Sequence, residues 1–142
     1  MLIASLIAIE TSPTEDFVQK KENQYNFKIM EGNKYIPLIV DELLKASPEK
    51  IILFGSYAYG TPNNDSDLDI LVVTQDEFVP TTNKEKMQIH HKYNPLIKEF
   101  RKFIPIDLIV YTKTMFDKFK ETKSQFSLEI TQKGKILYEA IN

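Results

Sequence analysis

Two aspartates, Asp67 and Asp69, are the residues whose spacing points most clearly to chemistry. They stand on either side of one leucine, where the apolar run DILVV (residues 69–73) begins. Alternate residues of a β-strand point to the same face of a sheet, so these carboxylates would lie side by side and repel each other. A divalent cation between them would relieve that repulsion. Carboxylate oxygens suit Mg²⁺, which binds a few carboxylates together with the phosphates of a substrate.

Asp107 is a third acid in a comparable position. It stands inside PIDLIVYT (residues 105–112), a run that otherwise predicts a buried strand. A charge among Ile, Leu and Val is costly unless it is paired or bound to a metal. If this strand lies beside the strand of Asp67 and Asp69, the three carboxylates converge. They could then hold two metal ions roughly 3.5–4 Å apart, which is the arrangement used for in-line displacement at phosphorus.

The pair Gly55-Ser56 directly follows the apolar run KIILF (residues 50–54). Glycine lets the backbone approach a phosphate closely, and a turn from strand to helix offers free N–H groups and the positive end of a helix dipole. The Ser56 hydroxyl can donate a hydrogen bond to the same phosphates. Gly60 would end this short helix in a left-handed conformation. The pair therefore indicates a phosphate-binding turn.

Two familiar phosphate and metal motifs do not fit this stretch. No lysine follows Gly60, as a Walker phosphate loop would require, and the spacing of the GxGxxG dinucleotide turn is absent. A calcium loop beginning at Asp65 needs glycine at its sixth position, where this chain has Ile70.

The patterns around these residues predict an α/β (α+β) domain. Apolar residues recur at helical spacing from Ile36 to Leu44, and Pro48 marks the end of that helix. Short apolar runs predict four strands, at residues 50–54, 69–73, 105–112 and 135–140. The order of the elements indicates a mixed β-sheet of about four strands flanked by helices.

Further helices are predicted around the last two strands. One occupies most of the stretch from Thr81 to Phe103, and Pro95 must kink it or split it in two. Two shorter helices follow, over residues 115–121 and 125–133. Thr114 and Ser124 are their candidate N-caps, and Gly134 would close the second helix.

Composition limits the class of protein. The 142 residues suit one domain, and the absence of cysteine excludes disulfides, thiolate metal sites and a thiol nucleophile. Residues 1–71 carry 6 Lys and 11 acidic residues, whereas residues 72–142 carry 12 Lys and Arg and 9 acidic residues. An acidic half joined to a basic half suits a site for cations and a polyanion. The apolar start MLIASLIAI is too short to span a membrane and lacks a basic leader, so we expect a cytoplasmic protein with no membrane partner.

Three features occur together: the glycine–serine pair, the two aspartates after ten intervening residues and the third aspartate on a later strand. Their joint spacing resembles that of one known family. It is the DNA polymerase β-type nucleotidyltransferase superfamily, and the likeness is closest to its minimal nucleotidyltransferases. The resemblance extends over about residues 33–141 and includes the closing stretch QKGKILYE. Tyr57 stands where the family usually has an arginine.

The resemblance implies two segments, a nucleotidyltransferase domain over residues 33–142 and an N-terminal extension over residues 1–32. The extension would be a helix or a partner-binding arm. Its stretch Ser12-Pro13-Thr14-Glu15 has the form of a helix start and predicts a helix over about residues 13–30.

The resemblance also implies a role for each candidate site residue. Asp67 and Asp69 would ligate a pair of Mg²⁺ ions, and Asp107 would ligate the catalytic ion and help to activate the acceptor hydroxyl. Gly55 and Ser56 would grip the nucleotide triphosphate. The implied reaction is the transfer of a nucleoside monophosphate, AMP from ATP, to a hydroxyl.

Minimal members of this superfamily are commonly encoded beside a HEPN-type protein and act as its antitoxin. The resemblance therefore implies a HEPN-type partner protein as the acceptor, and no nucleic-acid partner is expected. Two alternatives stay open at this point. One is a non-catalytic antitoxin-type binding module of the same fold. The other is an aminoglycoside-type small-molecule nucleotidyltransferase, whose acceptor pocket a homodimer would have to supply.

Overall fold

The computed structural model of the chain describes residues 19–20 and 32–141. Residues 19 and 20 are helical, and the rest of the helix predicted over residues 13–30 lies outside the described residues. The division into an extension over 1–32 and a domain over 33–142 stays a prediction. In the described part of the chain, no helix is both long enough and apolar enough to cross a membrane.

The first helix, α1, is described over residues 32–43 and continues as a 3-10 turn, Leu44–Ala46. It ends at Ser47, which adopts a left-handed conformation with φ 50°. Ile39 and Leu43 are fully buried, as the helical spacing of the apolar residues predicts.

Four strands form one sheet in the order β3-β2-β1-β4. The strand β2 runs parallel to β3 and antiparallel to β1, and β1 runs antiparallel to β4. The predicted mixed sheet of four strands is therefore confirmed. The strands are β1 (Lys50–Phe54), β2 (Leu68–Val73), β3 (Ile106–Tyr111) and β4 (Lys135–Glu139).

Four further helical segments connect the strands. They are α2 (Ser56–Tyr59), α3 (Asn83–Ile97), α4 (Lys113–Glu121) and α5 (Gln125–Leu128), and the last continues as a π turn, Glu129–Lys133. The Ser124 side chain accepts a hydrogen bond from the Ser127 N–H and caps α5, as predicted. Gly134 ends this segment, also as predicted.

The predicted cap of α4 was wrong. The residue that caps the helix is Thr112, whose hydroxyl accepts a hydrogen bond from the Met115 N–H at 3.2 Å. Thr114 lies inside the first turn, and its hydroxyl donates to the backbone carbonyl of Glu77. The helix begins early because Thr112 follows the last residue of β3 directly, which leaves no connecting loop.

Pro95 does not split α3 at its own position. The helix continues through Pro95 to Ile97 and then passes into a 3-10 turn, Lys98–Lys102. A proline removes one backbone donor from a helix, and packing can offset that loss. Tyr93 and Ile97 are both fully buried on either side of the proline, so the core holds this helix together.

An apolar layer covers each face of the sheet. On one face, α1 and α3 pack over the strands, and Ile70 and Tyr93 are fully buried there. On the other face, Phe116 of α4 and Ile130 of the π turn pack with Leu71 of β2. Neighbouring residues of β2 therefore enter opposite layers, which fixes the face to which each side chain points.

Ile70→Ala tests the first of these layers. Ile70 is 0% exposed, so its replacement should lower the free energy of unfolding by about 2–5 kcal/mol in urea titrations. Ile136→Ala is the matched control, because Ile136 is 54% exposed in β4 and should change stability by less than about 1 kcal/mol. Equal losses in the two variants would contradict the assigned strand faces.

Candidate active site

The pairing of β2 with β3 brings two of the predicted acids together. Asp69 lies opposite Asp107 in the parallel register, and the two strands are about 4.8 Å apart in such a pair. Asp67 is exposed and stands one residue before β2 begins. The spacing of Asp67 and Asp69 and the neighbouring strands therefore bring three carboxylates to the same end of the sheet.

Asp69 is the electrostatic centre of this group. Its pKa is raised to about 6 from a usual value of 3.8, chiefly by burial and then by the charges of Asp107, Asp67 and Glu129, in that order. Asp69 is half-buried, whereas the other two sequence-predicted acids are exposed. Without a cation, folding therefore favours the protonated form of Asp69 more than the unfolded chain does.

The burial argument for Asp107 was wrong. Its side chain is exposed, and the buried residues are its neighbours Ile106 and Leu108. Because side chains alternate along a strand, an acid can stand in an apolar run and still reach solvent. Asp107 comes to the site through its register with Asp69 and needs no metal to offset a burial cost.

The glycine–serine turn lies against the same carboxylate. Gly55 has φ 73° and ψ −163°, a conformation that is nearly restricted to glycine. A Cβ atom at this position would collide with the Asp69 carboxylate. Ser56 opens the short helix α2, and Gly60 ends it with φ 76°, as the sequence predicts.

The side chains of these acids suit Mg²⁺ chemically. Among residues 19–20 and 32–141, no three His, Cys, Asp or Glu side chains form a group that could hold a metal ion by themselves. Mg²⁺ does not require such a cage, because it binds through one or two carboxylates together with substrate phosphates and water. Carboxylates that already repel one another, next to a glycine turn, fit that mode of binding.

Two further residues, Tyr59 and Glu129, also lie at this site. The Tyr59 hydroxyl, at the end of α2, donates a hydrogen bond to Glu129 Oε1 at 2.7 Å. Glu129 is one of the charges that act on Asp69. No local pattern could have indicated Glu129, because it meets Tyr59 across 70 positions of the chain. Tyr57, which stands where the resembled family usually has an arginine, is buried in the core.

The sequence pattern of the nucleotidyltransferase domain matches residues 34–138, which is more than half of the chain. The chain belongs to this family. The carboxylates at the ends of β2 and β3 and the turn at Gly55 therefore lie within a nucleotidyltransferase domain.

Relatives of this nucleotidyltransferase agree with that assignment. A protein of Methanocaldococcus jannaschii, provisionally named a protein adenylyltransferase, is 28% identical over 105 residues, which are 72% of this chain and 99% of the relative. A crystal structure from Sulfolobus solfataricus, provisionally described as a nucleotidyltransferase, has a TM-score of 0.50 at 19% identity. The alignment covers 79% of this chain and 84% of that one, and it shows that the fold is shared.

A third structure is described as a toxin–antitoxin with AMP-PNP. One of its chains is 23% identical to this nucleotidyltransferase, with a TM-score of 0.46 over 72% of this chain and 71% of that one. A TM-score this low supports no conclusion about the present protein.

Asp69→Asn should change how stability depends on pH in metal-free buffer. The folded state binds a proton to Asp69 more tightly than the unfolded state, so this group makes the wild type less stable as pH rises from about 4 to about 6. Asparagine does not titrate. The variant should therefore gain stability over the wild type across that interval in urea titrations, with a constant difference above it.

Asp65→Asn is the control for this experiment, because Asp65 is an exposed acid in the loop that precedes β2. Its unfolding curve should follow that of the wild type at each pH. A difference between Asp69→Asn and the wild type that shrinks as pH rises would contradict the environment described for Asp69.

Gly55→Ala should destabilise the protein more than Gly60→Ala does. Both glycines have positive φ, which costs other residues roughly 1–3 kcal/mol. A Cβ atom at Gly60 meets nothing within 4 Å, whereas one at Gly55 meets the Asp69 carboxylate. The difference between the two free energies of unfolding therefore reports the contact with Asp69 together with the more restricted backbone conformation of Gly55. Equal losses would show that Asp69 can move away without cost.

Proposed function

We propose that this nucleotidyltransferase transfers AMP from ATP to a hydroxyl of a partner protein and depends on Mg²⁺. The single observation that carries the proposal is the register of β2 and β3, which sets Asp69 beside Asp107. Asp67 precedes the same strand, and the Gly55 turn lies against the Asp69 carboxylate. Acids and a phosphate-binding turn are thus close enough to act on one nucleotide.

Each residue has a role in this proposal. Asp67, Asp69 and Asp107 would hold the metal ions, and Gly55 and Ser56 would bind the triphosphate. Mg²⁺ at such a site supplies charge neutralisation at the phosphates and makes the acceptor hydroxyl more acidic. The half-buried position of Asp69 keeps its carboxylate fixed, so the chain contributes by positioning charge in advance.

The reaction itself is an in-line displacement at the α-phosphorus. The acceptor oxygen forms a bond to that phosphorus, the bond to the bridging oxygen of the β-phosphate breaks, and pyrophosphate leaves with the electron pair. The proton of the acceptor hydroxyl passes to Asp107 or to water. Asp107 suits this role because its exposed carboxylate stands on β3, at the edge of the sheet.

Two features support a protein as the acceptor. Asp67 and Asp107 are both exposed, so the acceptor side of the site is open to solvent within the part of the chain that the structure describes. A docking protein surface can exclude water from such an open site. The relative from Methanocaldococcus jannaschii also bears the name of a protein adenylyltransferase. A HEPN-type partner rests on the family resemblance, with residues 1–32 as the arm that contacts it.

Labelling of the partner tests the proposal directly. The protein is incubated with Mg²⁺, α-³²P-ATP and the purified product of the neighbouring gene, and labelled protein is measured after electrophoresis. The wild type should label the partner. Asp69→Asn and Asp107→Asn should each lower the rate by roughly 100-fold or more, since a metal site supplies several kcal/mol of transition-state stabilisation.

The controls separate the rival functions. Asp65→Asn should label the partner at the wild-type rate, and γ-³²P-ATP should leave the partner unlabelled. Stable binding of the partner without any label, in the presence of Mg²⁺ and ATP, would favour the non-catalytic binding module. Transfer to an aminoglycoside while every tested protein stays unlabelled would favour the small-molecule enzyme.

A further inference from the structure

The hydrogen bond between Tyr59 and Glu129 joins two elements that the proposed roles do not connect. Tyr59 ends α2, the helix that opens with Ser56, and Glu129 begins the π turn after α5. The oxygen atoms are 2.7 Å apart in a partly buried position. A single π turn often marks a functional site, because it departs from regular helix geometry at some cost.

Glu129 also lines a cleft. The cleft has a volume of about 330 Å³, and its lining residues are mostly polar: Gln125, Leu128, Glu129, Gln132 and Lys133. The Lys133 ammonium lies 5.9 Å from the centre of the Tyr59 ring, so the same helix face reaches α2 at a second point. These contacts place the cleft beside Tyr59, at the end of the helix that follows the Gly55 turn.

The Glu129 carboxylate can accept another hydrogen bond. Burial and, after it, the hydrogen bond to Glu129 raise the pKa of Tyr59 to about 12, so Tyr59 stays a donor to Oε1 at neutral pH. Within the described residues, Glu129 forms no ion pair, and no second hydrogen bond occupies its Oε2 atom. An oriented carboxylate with a free oxygen remains at the cleft.

The order of the strands indicates that Glu129 lies on the same side of the site as the proposed triphosphate-binding turn. Asp107 lies on β3, at one edge of the sheet, and Asp69 lies on the next strand, β2. The strand β1, with Gly55 at its end, follows on the far side of β2 from Asp107. Tyr59 belongs to the helix that follows Gly55. Glu129 therefore stands with the proposed triphosphate site and away from the acceptor side.

The charge of Glu129 limits what it can bind there. A carboxylate repels the phosphates of a nucleotide, but it accepts hydrogen bonds from hydroxyl groups. In a ribonucleotide, the donors nearest to the triphosphate are the 2′ and 3′ hydroxyls of the sugar, whereas the amino group of the base lies farther away. We propose that Glu129, oriented by Tyr59, binds the ribose hydroxyls of the donor nucleotide and selects ribonucleotides over deoxyribonucleotides. This inference rests on the proposed function only in assuming that the site binds a nucleoside triphosphate.

Nucleotide binding in the absence of an acceptor tests the inference. Dissociation constants of ATP, 2′-deoxy-ATP and 3′-deoxy-ATP are measured with Mg²⁺ by calorimetry. For the wild type, at least one deoxynucleotide should bind about tenfold more weakly than ATP, as expected for a lost hydrogen bond to a charged group. Glu129→Ala should weaken the binding of ATP, and of any analogue that keeps the bonded hydroxyl, and so bring the three constants to within about twofold of one another.

Two further variants test the role of the charge and the specificity of the effect. Glu129→Gln preserves the shape of the side chain and removes its charge, so its preference for ATP should lie between those of the wild type and Glu129→Ala. Glu121→Ala, at an exposed acid of α4, is the matched control and should keep the wild-type preference. The ratio of two ligands on the same variant is independent of the fraction of protein that is folded.

The inference is overturned if the wild type binds all three nucleotides equally or if Glu129→Ala keeps the preference for ATP. It is also overturned if Glu129→Ala lowers transfer while nucleotide preference is unchanged, because Glu129 would then serve the acceptor. Wild type that labels its partner without sugar preference would keep the proposed function and remove this inference. Wild type that prefers ATP but transfers nothing would keep this inference and remove the proposed function.

Discussion

The parallel register between β2 and β3 forces Asp69 and Asp107 to face each other, although their charges repel. Burial of apolar residues enforces this arrangement. Leu68 and Ile70, on either side of Asp69, are fully buried in the layer under α1 and α3. A slip of one residue would turn the Asp69 carboxylate into that layer and remove Ile70 from it. The hydrophobic core therefore maintains an electrostatic conflict that a bound cation would relieve.

The other parts of the site depend on that position of Asp69. Gly55 is needed because its Cα lies against the Asp69 carboxylate, where a side chain would collide. The antiparallel pairing of β1 with β2 brings the glycine there, since Phe54 lies opposite Asp69. The helix α2 then leaves the sheet at this point, which brings Tyr59 to Glu129. The acids, the glycine turn and the π turn are thus all arranged around the Asp69 side chain.

The position of the site in the sheet separates its two sides. Asp107 is on an edge strand, so an acceptor can approach it from solvent. The opposite side is bounded by β1, α2 and the π turn, which carry the residues assigned to the nucleotide. Such a division suits transfer between two reactants, because each can bind without crossing the path of the other.

Most of the fold and part of the site follow from the sequence by itself. Strands, the buried face of α1 and the closeness of Asp67 to Asp69 depend on spacings of two to four residues, and the backbone fixes those periods locally. The turn at Gly55 and the end of α2 at Gly60 are local for the same reason. The exposure of Asp107, the N-cap at Thr112 and the contact of Glu129 with Tyr59 were decided by tertiary structure. Each depends on which strands pair and where a helix packs, and those choices are set by burial of side chains far apart in the chain.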